Sequence, residues 1–273
     1  MQHGTWLLVL GILLAGLAPS RGANLAKDGK AAALIAVSAE TNQFEQMAAR
    51  ELADTVEKMS GARLEVVTVP EGKADDLARE AKGRGQALVL LGRAALPRLG
   101  ADLGSAATTR GAFILKADRE SVLIAGPDEG VYYGVIELLE QAGCRWFMPG
   151  DLGEVAPSRK TIEVNAQTTV QVPSFPSRWF QMPDRDWQMR VRCGGDVFAG
   201  SHGMEAPPAK ANKETGLLEP AENAEYYALV KGKRTTRQHC VSNPKLVDYM
   251  ADEIWKKRKK GQGPVIGCGP NDS

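Results

Sequence analysis

The chain has 273 residues, 43% hydrophobic and 25% charged, a globular balance that excludes a disordered tail or a coiled coil. Lys and Arg number 34 against 33 Asp and Glu, a formal charge of +1. Arg21 lies in an N-terminal stretch without acids, so the rest of the chain is net neutral and a poor general binder of nucleic acid or anionic membrane.

Trp6 to Ala18 contains no charge. That run is short of the roughly 20 residues of a spanning helix but matches the apolar core of a signal peptide, about 7–15 residues. The small residues Ser20, Gly22 and Ala23 follow it. Cleavage after Gly22 would put Ser20 at −3 and Gly22 at −1. Residues 1–22 are therefore read as a signal peptide, with the protein exported to the periplasm or outside the cell and the mature chain starting near Ala23. The opening MQHGT has no Lys or Arg, and the rival reading is an uncleaved N-terminal anchor.

Ala31 to Ser38 is a short apolar run, read as a buried strand. Over Thr41 to Ser60, the residues Phe44, Met47, Ala48, Leu52, Thr55, Val56 and Met59 fall on one face of a helix, and Gly61 stands where a terminating glycine belongs. Leu64 to Val69 alternates and is β-branched, a second strand. Asp75 to Lys82 is a short polar helix. Gln86 to Gly92 is apolar throughout and reads as a central strand. Gly111 to Lys116 and Ser121 to Gly126 flank a polar turn, which predicts a hairpin. Glu129 to Gln141 is helical and Gly143 stops it. A Pro/Gly-rich loop spans Met148 to Ser158, and a short strand covers Thr161 to Val164.

This order predicts an α/β (α+β) domain over 24–170, a mixed sheet with helices packed on it. Pro173 and Pro176 then bracket a linker. Few periodic segments follow before Pro244. Residues Pro244 to Lys260 are helical, with Asn243 as N-cap, Pro244 at the first position and a stripe of Leu246, Val247, Met250, Ala251, Ile254 and Trp255. Trp255 on that stripe is expected in the core. Val265 to Cys268 is a further strand, and the chain ends five residues later without a following helix. The expected architecture of 171–273 is thus the first β/α units of an incomplete barrel. A complete TIM barrel needs roughly 250 residues.

Cys144, Cys193, Cys240 and Cys268 contain no CxxC, so no structural zinc site is expected. An exported chain could pair them; buried free thiols are the alternative.

Several stretches carry a family resemblance: Ala48 to Gly61 (AARELADTVEKMSG) with Leu64 to Val69, Gly126 to Val135 (GPDEGVYYGV), and above all Gly143 to Gly150 (GCRWFMPG). On these the first domain resembles the N-terminal domain of alpha-glucuronidases and the non-catalytic second domain of beta-hexosaminidases. Phe175 to Trp179 (FPSRW), His202, Glu225 to Arg234 (EYYALVKGKR), Cys240 to Pro244 and Pro270 to Asp272 carry the second part. That part is similar to a bacterial glycoside hydrolase-like family whose catalytic (β/α)8 barrel follows such a domain. Some of its relatives are endo-beta-N-acetylglucosaminidases that cut N-glycans. The resemblance implies a glycan substrate and hydrolysis of O-glycosyl bonds without metal or cofactor.

In the resembled hexosaminidases an arginine at the place of Arg178 grips hydroxyls of the sugar in the cleaved position. Parallel N–H donors suit a vicinal diol; the alternative is a structural Arg pairing across the domain junction. His202, among small neighbours, is expected at a strand end where barrel sites lie, or else as a satisfied structural histidine. Asn271 and Asp272 follow the last strand and would orient a sugar hydroxyl or cap a helix. Adjacent His239 and Cys240 have no spacing that makes a nucleophile pair. Lys256 to Lys260 suits a helix C-terminus and reads as a solvated face. The glycines of 126–134 lack phosphate-loop spacing and read as helix packing.

Glycoside hydrolysis usually needs two carboxylates at a set separation. None stands out here, so the resemblance places them beyond Ser273 and the chain is expected to be inactive alone. The alternative is a non-catalytic carbohydrate-binding or scaffold protein of the same architecture, with no nucleic-acid partner and no membrane association beyond the leader.

Overall fold

The structure, a computed structural model, describes residues 22–179, 184–195, 206–207, 209, 213–215 and 223–261. The leader, His202, Asn271, Asp272 and the expected strand Val265 to Cys268 lie outside these residues. The chain divides into two compact units, one ending at Gly195 and one starting at Asp196.

The first unit opens with strands β1 (Ala23–Lys27), β2 (Lys30–Ala31) and β3 (Ala33–Ser38), helix α1 (Gln43–Ser60), β4 (Glu65–Val69), α2 (Ala74–Gly83) and β5 (Ala87–Leu91). A short helix α3 (Leu96–Leu99), strands β6 (Phe113–Ala117) and β7 (Ser121–Ala125), and helix α4 (Gly130–Gln141) follow. The unit closes with β8 (Arg145–Trp146), β9 (Glu154–Val155), β10 (Ile162–Val164), β11 (Gln167–Gln171), β12 (Ser177–Arg178), α5 (Arg185–Arg190) and β13 (Gly194–Gly195).

Six strands form one mixed sheet in the order β11-β6-β7-β5-β3-β4. Strands β4, β3, β5 and β7 run parallel, whereas β6 and β11 add an antiparallel edge. Strand β5 is central and buried on both faces, as its unbroken apolar run requires. The expected hairpin is β6–β7. Its turn is held by Asp118, whose Oδ1 accepts the N–H groups of Glu120 at 2.8 Å and Ser121 at 2.7 Å.

Side-chain alternation divides the core in two. Ile35, Val37, Val89, Leu91, Phe113, Leu115, Val122 and Ile124 face α1 and α4. Leu34, Ala36, Leu88, Leu90, Leu123 and Ala125 face the other way, toward α2 and the α3 turn. Helix α1 starts where Asn42 Oδ1 accepts from the Phe44 and Glu45 amides, both at 2.9 Å. It ends at Gly61, whose φ of 80° is open to glycine at no steric cost. The predicted stripe is its buried face.

A small second sheet, β10-β1-β2, does not follow from the sequence reading. Strand β1 begins directly at Ala23 and pairs with β10, which lies about 140 residues later in the chain. No local pattern encodes such a partner. The sequence reading set a boundary at 170. In the structure β11 lines the sheet edge, and the contacts of 171–195 stay with the first unit.

The second unit contains a hairpin of β14 (Tyr227–Val230) and β15 (Lys233–His239), then helix α6 (Pro244–Lys259) capped by Asn243. Among its described residues there is no parallel strand pair. Leu246 is buried, but Trp255 is 61% exposed and carries Lys259 Nζ 5.7 Å from its ring centre. The core placement expected for Trp255 is thereby corrected: of the stripe of α6, Leu246 is buried, Met250 and Ile254 are half-buried and Val247, Ala251 and Trp255 are exposed. Lys256 to Lys260 is a largely solvated face. Among the described residues no helix is long and apolar enough to cross a membrane.

The turn from β7 into α4 is packed to the limit. A Cβ on Gly130 would lie 2.0 Å from the Ala112 carbonyl oxygen, and one on Gly126 would lie 2.1 Å from it. Backbone cannot swing aside as a side chain can. Gly130→Ala is therefore expected to cost about 1–3 kcal/mol or more, read as a lowered denaturation midpoint in urea, whereas Gly83→Ala, in open space in α2, is expected to be neutral or mildly stabilising.

Candidate functional site

The least exposed ion pairs of the first unit lie around α1, α4 and the segment 175–195. Glu129 precedes the first turn of α4, and its side chain is 2% exposed. Arg110 Nε donates to both of its oxygens, at 3.2 and 3.0 Å, and the Gly195 amide donates to Oε1 at 2.8 Å. Burial would raise this carboxyl, but the Gly195 amide and the Arg110 guanidinium outweigh it and hold the group below the usual carboxylate range.

One helical step on, Tyr133 donates its hydroxyl to the Cys193 carbonyl at 2.6 Å. Burial, then the Glu129 charge, pushes that phenol well above its ordinary value, so it stays a neutral donor. Gly194 lies against both: a Cβ there would sit 2.3 Å from Tyr133 Oη and 2.5 Å from Glu129 Oε1.

Arg178, the sequence-predicted sugar ligand, stands on β12 opposite Gly194. Its Nε donates to the Arg192 carbonyl at 3.1 Å and Nη1 to the Phe175 carbonyl at 3.0 Å. The guanidinium lies 5.9 Å from the Tyr133 ring centre. Nη2 has no hydrogen-bond partner among the described residues and faces Gly111, where a Cβ would be 2.6 Å away. Two of its five N–H donors are thus spent on backbone, and Nη2 is buried, so the guanidinium does not present a parallel pair of donors to a diol at the surface. Trp179 beside it is 62% exposed.

A second charged group surrounds Arg190 on α5. Its Nε and Nη2 reach Glu51 at 3.0 and 3.3 Å, and Nη1 lies 4.0 Å from Glu154. Tyr132 donates to Glu51 at 3.0 Å, and Lys58 pairs with Glu154 at 2.9 Å. Burial, then Glu51, raises the Tyr132 phenol. Trp187 donates its indole N–H to the Trp146 carbonyl at 3.0 Å. Glu51, Lys58, Tyr132, Glu154 and Arg190 border a polar cleft of about 330 Å³ that also touches Asp54 and Asp186. Arg192 completes the set by bridging Glu137 at 2.8 Å and Glu140 at 2.5 Å.

Arg178 is the one predicted site residue among the described residues. His202, Asn271 and Asp272 lie outside them, so nothing here brings the four together. The Glu129 and Glu51 networks were not read from the sequence. The available signal was an acid placed among apolar positions, as Glu51 is between Ala48 and Leu52 of α1. Cys144, Cys193 and Cys240 are free thiols. Burial, with Glu154 and Glu51 nearby, pushes Cys144 up to about 11, which makes it an unreactive core residue. His239 stacks on Tyr227 at 5.3 Å, and Cys240 Sγ lies 3.4 Å from Ser242 Oγ. No group of three or more metal-ligating side chains occurs among the described residues.

No family model and no curated protein matches the chain. Among solved structures it is similar to a family GH115 4-O-methyl-alpha-glucuronidase with specificity for decorated arabinogalactans, at 13% identity and a TM-score of 0.45, over 66% of this chain and 26% of that one. It is also similar to the GH20 beta-N-acetylhexosaminidase of Streptomyces coelicolor A3(2), at 19% identity and a TM-score of 0.34, over 59% of this chain and 26% of that one. The chain spans about a quarter of the length of each. At these values neither likeness carries an activity to this chain.

The depressed Glu129 carboxyl sets a pH dependence. A group whose folded pKa lies below its unfolded value, about 4.3 for Glu, stabilises the protein above that value and loses the contribution as the pH falls through the folded pKa. Glu129→Gln is expected to cost about 1.5–3 kcal/mol at pH 7 and to show a smaller loss of stability than the parent between pH 5 and pH 3, as measured by denaturant titration at each pH.

Proposed function

We propose that the chain is the N-terminal portion of an exported glycoside hydrolase that hydrolyses O-glycosyl bonds of complex glycans. In this reading the residues up to Gly195 are a non-catalytic accessory unit. Those from Asp196 onward begin the catalytic (β/α)8 barrel, and its working carboxylates lie beyond this chain. The supporting sequence stretches are those around Gly126 to Gly150 and Phe175 to Trp179.

The observation that supports the accessory role is the commitment of three acids of the charged networks. Glu51, Glu129 and Glu154 each spend their oxygens on cations or N–H donors of their own unit. No two of them are left to flank a scissile bond with water or a leaving group between them. Arg178 likewise serves the fold first, through two backbone carbonyls. Arg178, His202, Asn271 and Asp272 are the substrate-binding residues of this reading.

A second reading, a non-catalytic carbohydrate-binding protein, draws on the exposed rings of Phe175 and Trp179 beside Arg178. Exposed aromatic faces of this kind can stack on sugar rings.

Incubation with N-glycans, aryl N-acetylglucosaminides and aryl glucuronides, followed by mass spectrometry, separates the two. The chain alone is expected to give no product, and a reading frame continued past Ser273 is expected to turn over one of them. Turnover by the chain itself that is lost in Asp272→Asn would overturn this and make Asp272 catalytic. Glycan retention that falls about tenfold, ~1.4 kcal/mol, in Trp179→Ala, with no turnover from the continued frame, would favour the binding reading.

A further inference from the structure

We propose that the first unit carries a non-catalytic binding cleft for an acidic stretch of glycan, in which sugar residues bear a carboxylate beside free hydroxyls. The proposal deepens the glycan reading given above and rests on it. The cleft holds about 960 Å³ at the end of the main sheet where β5 and β7 begin. That volume lies in the range of small-molecule sites, roughly 300–1,000 Å³. Its walls come from β1, α2, the β6–β7 turn and β10, all within one unit. No residue of the Glu129 or Glu51 networks lines it.

The acids of this cleft are engaged by the chain itself. Asp75 Oδ1 accepts from Arg98 Nε at 3.2 Å and Nη2 at 2.6 Å. Glu120 pairs with Lys82 at 2.8 Å, and Asp118 holds the β6–β7 turn. Glu163 Oε1 accepts the Gly22 amide at 3.2 Å. Of the cations, Arg98 and Lys82 are spent on these acids and Arg79 on Asp76. Lys27, at the end of β1, and Arg119, in the β6–β7 turn, have no ion-pair or hydrogen-bond partner among the described residues. Positive charge is therefore what the cleft has left to offer, and a ligand carboxylate is what answers it.

Gln86, the residue before β5, adds a second requirement. Its carboxamide makes no hydrogen bond among the described residues, and its Oε1 is buried. A buried acceptor without a donor is costly. A bare oxyanion brings acceptors and cannot supply that donor. A sugar hydroxyl can, because its O–H donates to Oε1 while its oxygen accepts from an N–H. Asn24 on β1 offers a further uncommitted amide in the same wall, and Glu163 keeps Oε2 as a further acceptor. Two cations for a carboxylate and three groups for hydroxyls match a ligand that is both charged and polyhydroxylated.

Calorimetric titration of the full chain with three probes tests this: hexagalacturonate, the same hexamer with its carboxylates methyl-esterified, and inorganic phosphate. Hexagalacturonate is expected to bind, and to bind more weakly as NaCl is raised. The ester is expected to bind about tenfold more weakly, and phosphate not to compete. Lys27→Gln and Arg119→Gln, both at exposed positions, are each expected to weaken binding of the acid about fivefold and to leave binding of the ester unchanged. Gln86→Ala is expected to weaken acid and ester alike. No binding of hexagalacturonate, equal affinity for the ester, or unchanged affinity in the Lys27 and Arg119 variants would overturn the proposal. Competition by phosphate would reduce the cleft to an anion site and overturn the sugar assignment. Binding with no turnover from a reading frame continued past Ser273 would leave the cleft standing and remove the hydrolase reading. Turnover without binding would do the reverse, so the two failures are distinguishable.

Discussion

A carboxylate withdrawn from water costs several kcal/mol unless its oxygens are met by charge and hydrogen bonds. Glu129 meets that constraint with three donations, two from Arg110 and one from the Gly195 amide. Much of the first unit is arranged around it. Its partners come from the chain before β6 and from the last residue of the unit, so the carboxylate ties Arg110, 19 residues earlier, and Gly195, 66 residues later, to the start of α4. Gly194 must lack a side chain because Tyr133 Oη and Glu129 Oε1 occupy the space. Gly126 and Gly130 must lack one because the turn leading to Glu129 touches the Ala112 backbone. These glycines are set by close approach of other atoms, Gly194 to Glu129 and Tyr133 and the other two to the Ala112 backbone, rather than by turn type.

The same economy explains how 175–195 stays with the α/β unit. This segment has little apolar surface to bury, apart from Met189 and Cys193. It is held instead by three arginines acting in turn. Arg178 closes it on itself through the Arg192 and Phe175 carbonyls, Arg190 pins α5 to Glu51 of α1, and Arg192 reaches Glu137 and Glu140 of α4. Guanidinium groups suit this work because one planar head satisfies two acceptors at once. Glu51, Glu129 and Glu154 are partnered within the unit. Glu45, buried in the first turn of α1, accepts the Arg93 amide on Oε1 at 3.0 Å and has no hydrogen-bond partner for Oε2 among the described residues.

The second unit is built differently. Its described residues form a hairpin and a helix around a small cluster of Ala224 and Tyr227. Helix α6 buries Leu246 and leaves Val247 and Trp255 in solvent. An amphipathic stripe is a request for a packing partner, and here it is met fully at Leu246 and partly at Met250 and Ile254.

By itself, the sequence determined the elements whose signal is local. The stripe of α1 between Asn42 and Gly61, the unbroken apolar run of β5, the β6–β7 hairpin around Asp118 and the caps of α6 can each be read from a dozen neighbouring residues. The free state of Cys144 and Cys193 was legible only as one of two options. What the tertiary structure decided is everything that joins distant segments. The pairing of β1 with β10, the antiparallel edge made by β11, the attachment of 171–195, and the partnering of Glu51 and Glu129 all depend on residues far apart in the chain. Periodicity reports which face of an element is apolar, but it does not report which other element will cover that face. A charge looks the same in sequence whether it is solvated or buried. Only the fold shows that Glu129 is enclosed and that Arg178 spends its donors on backbone.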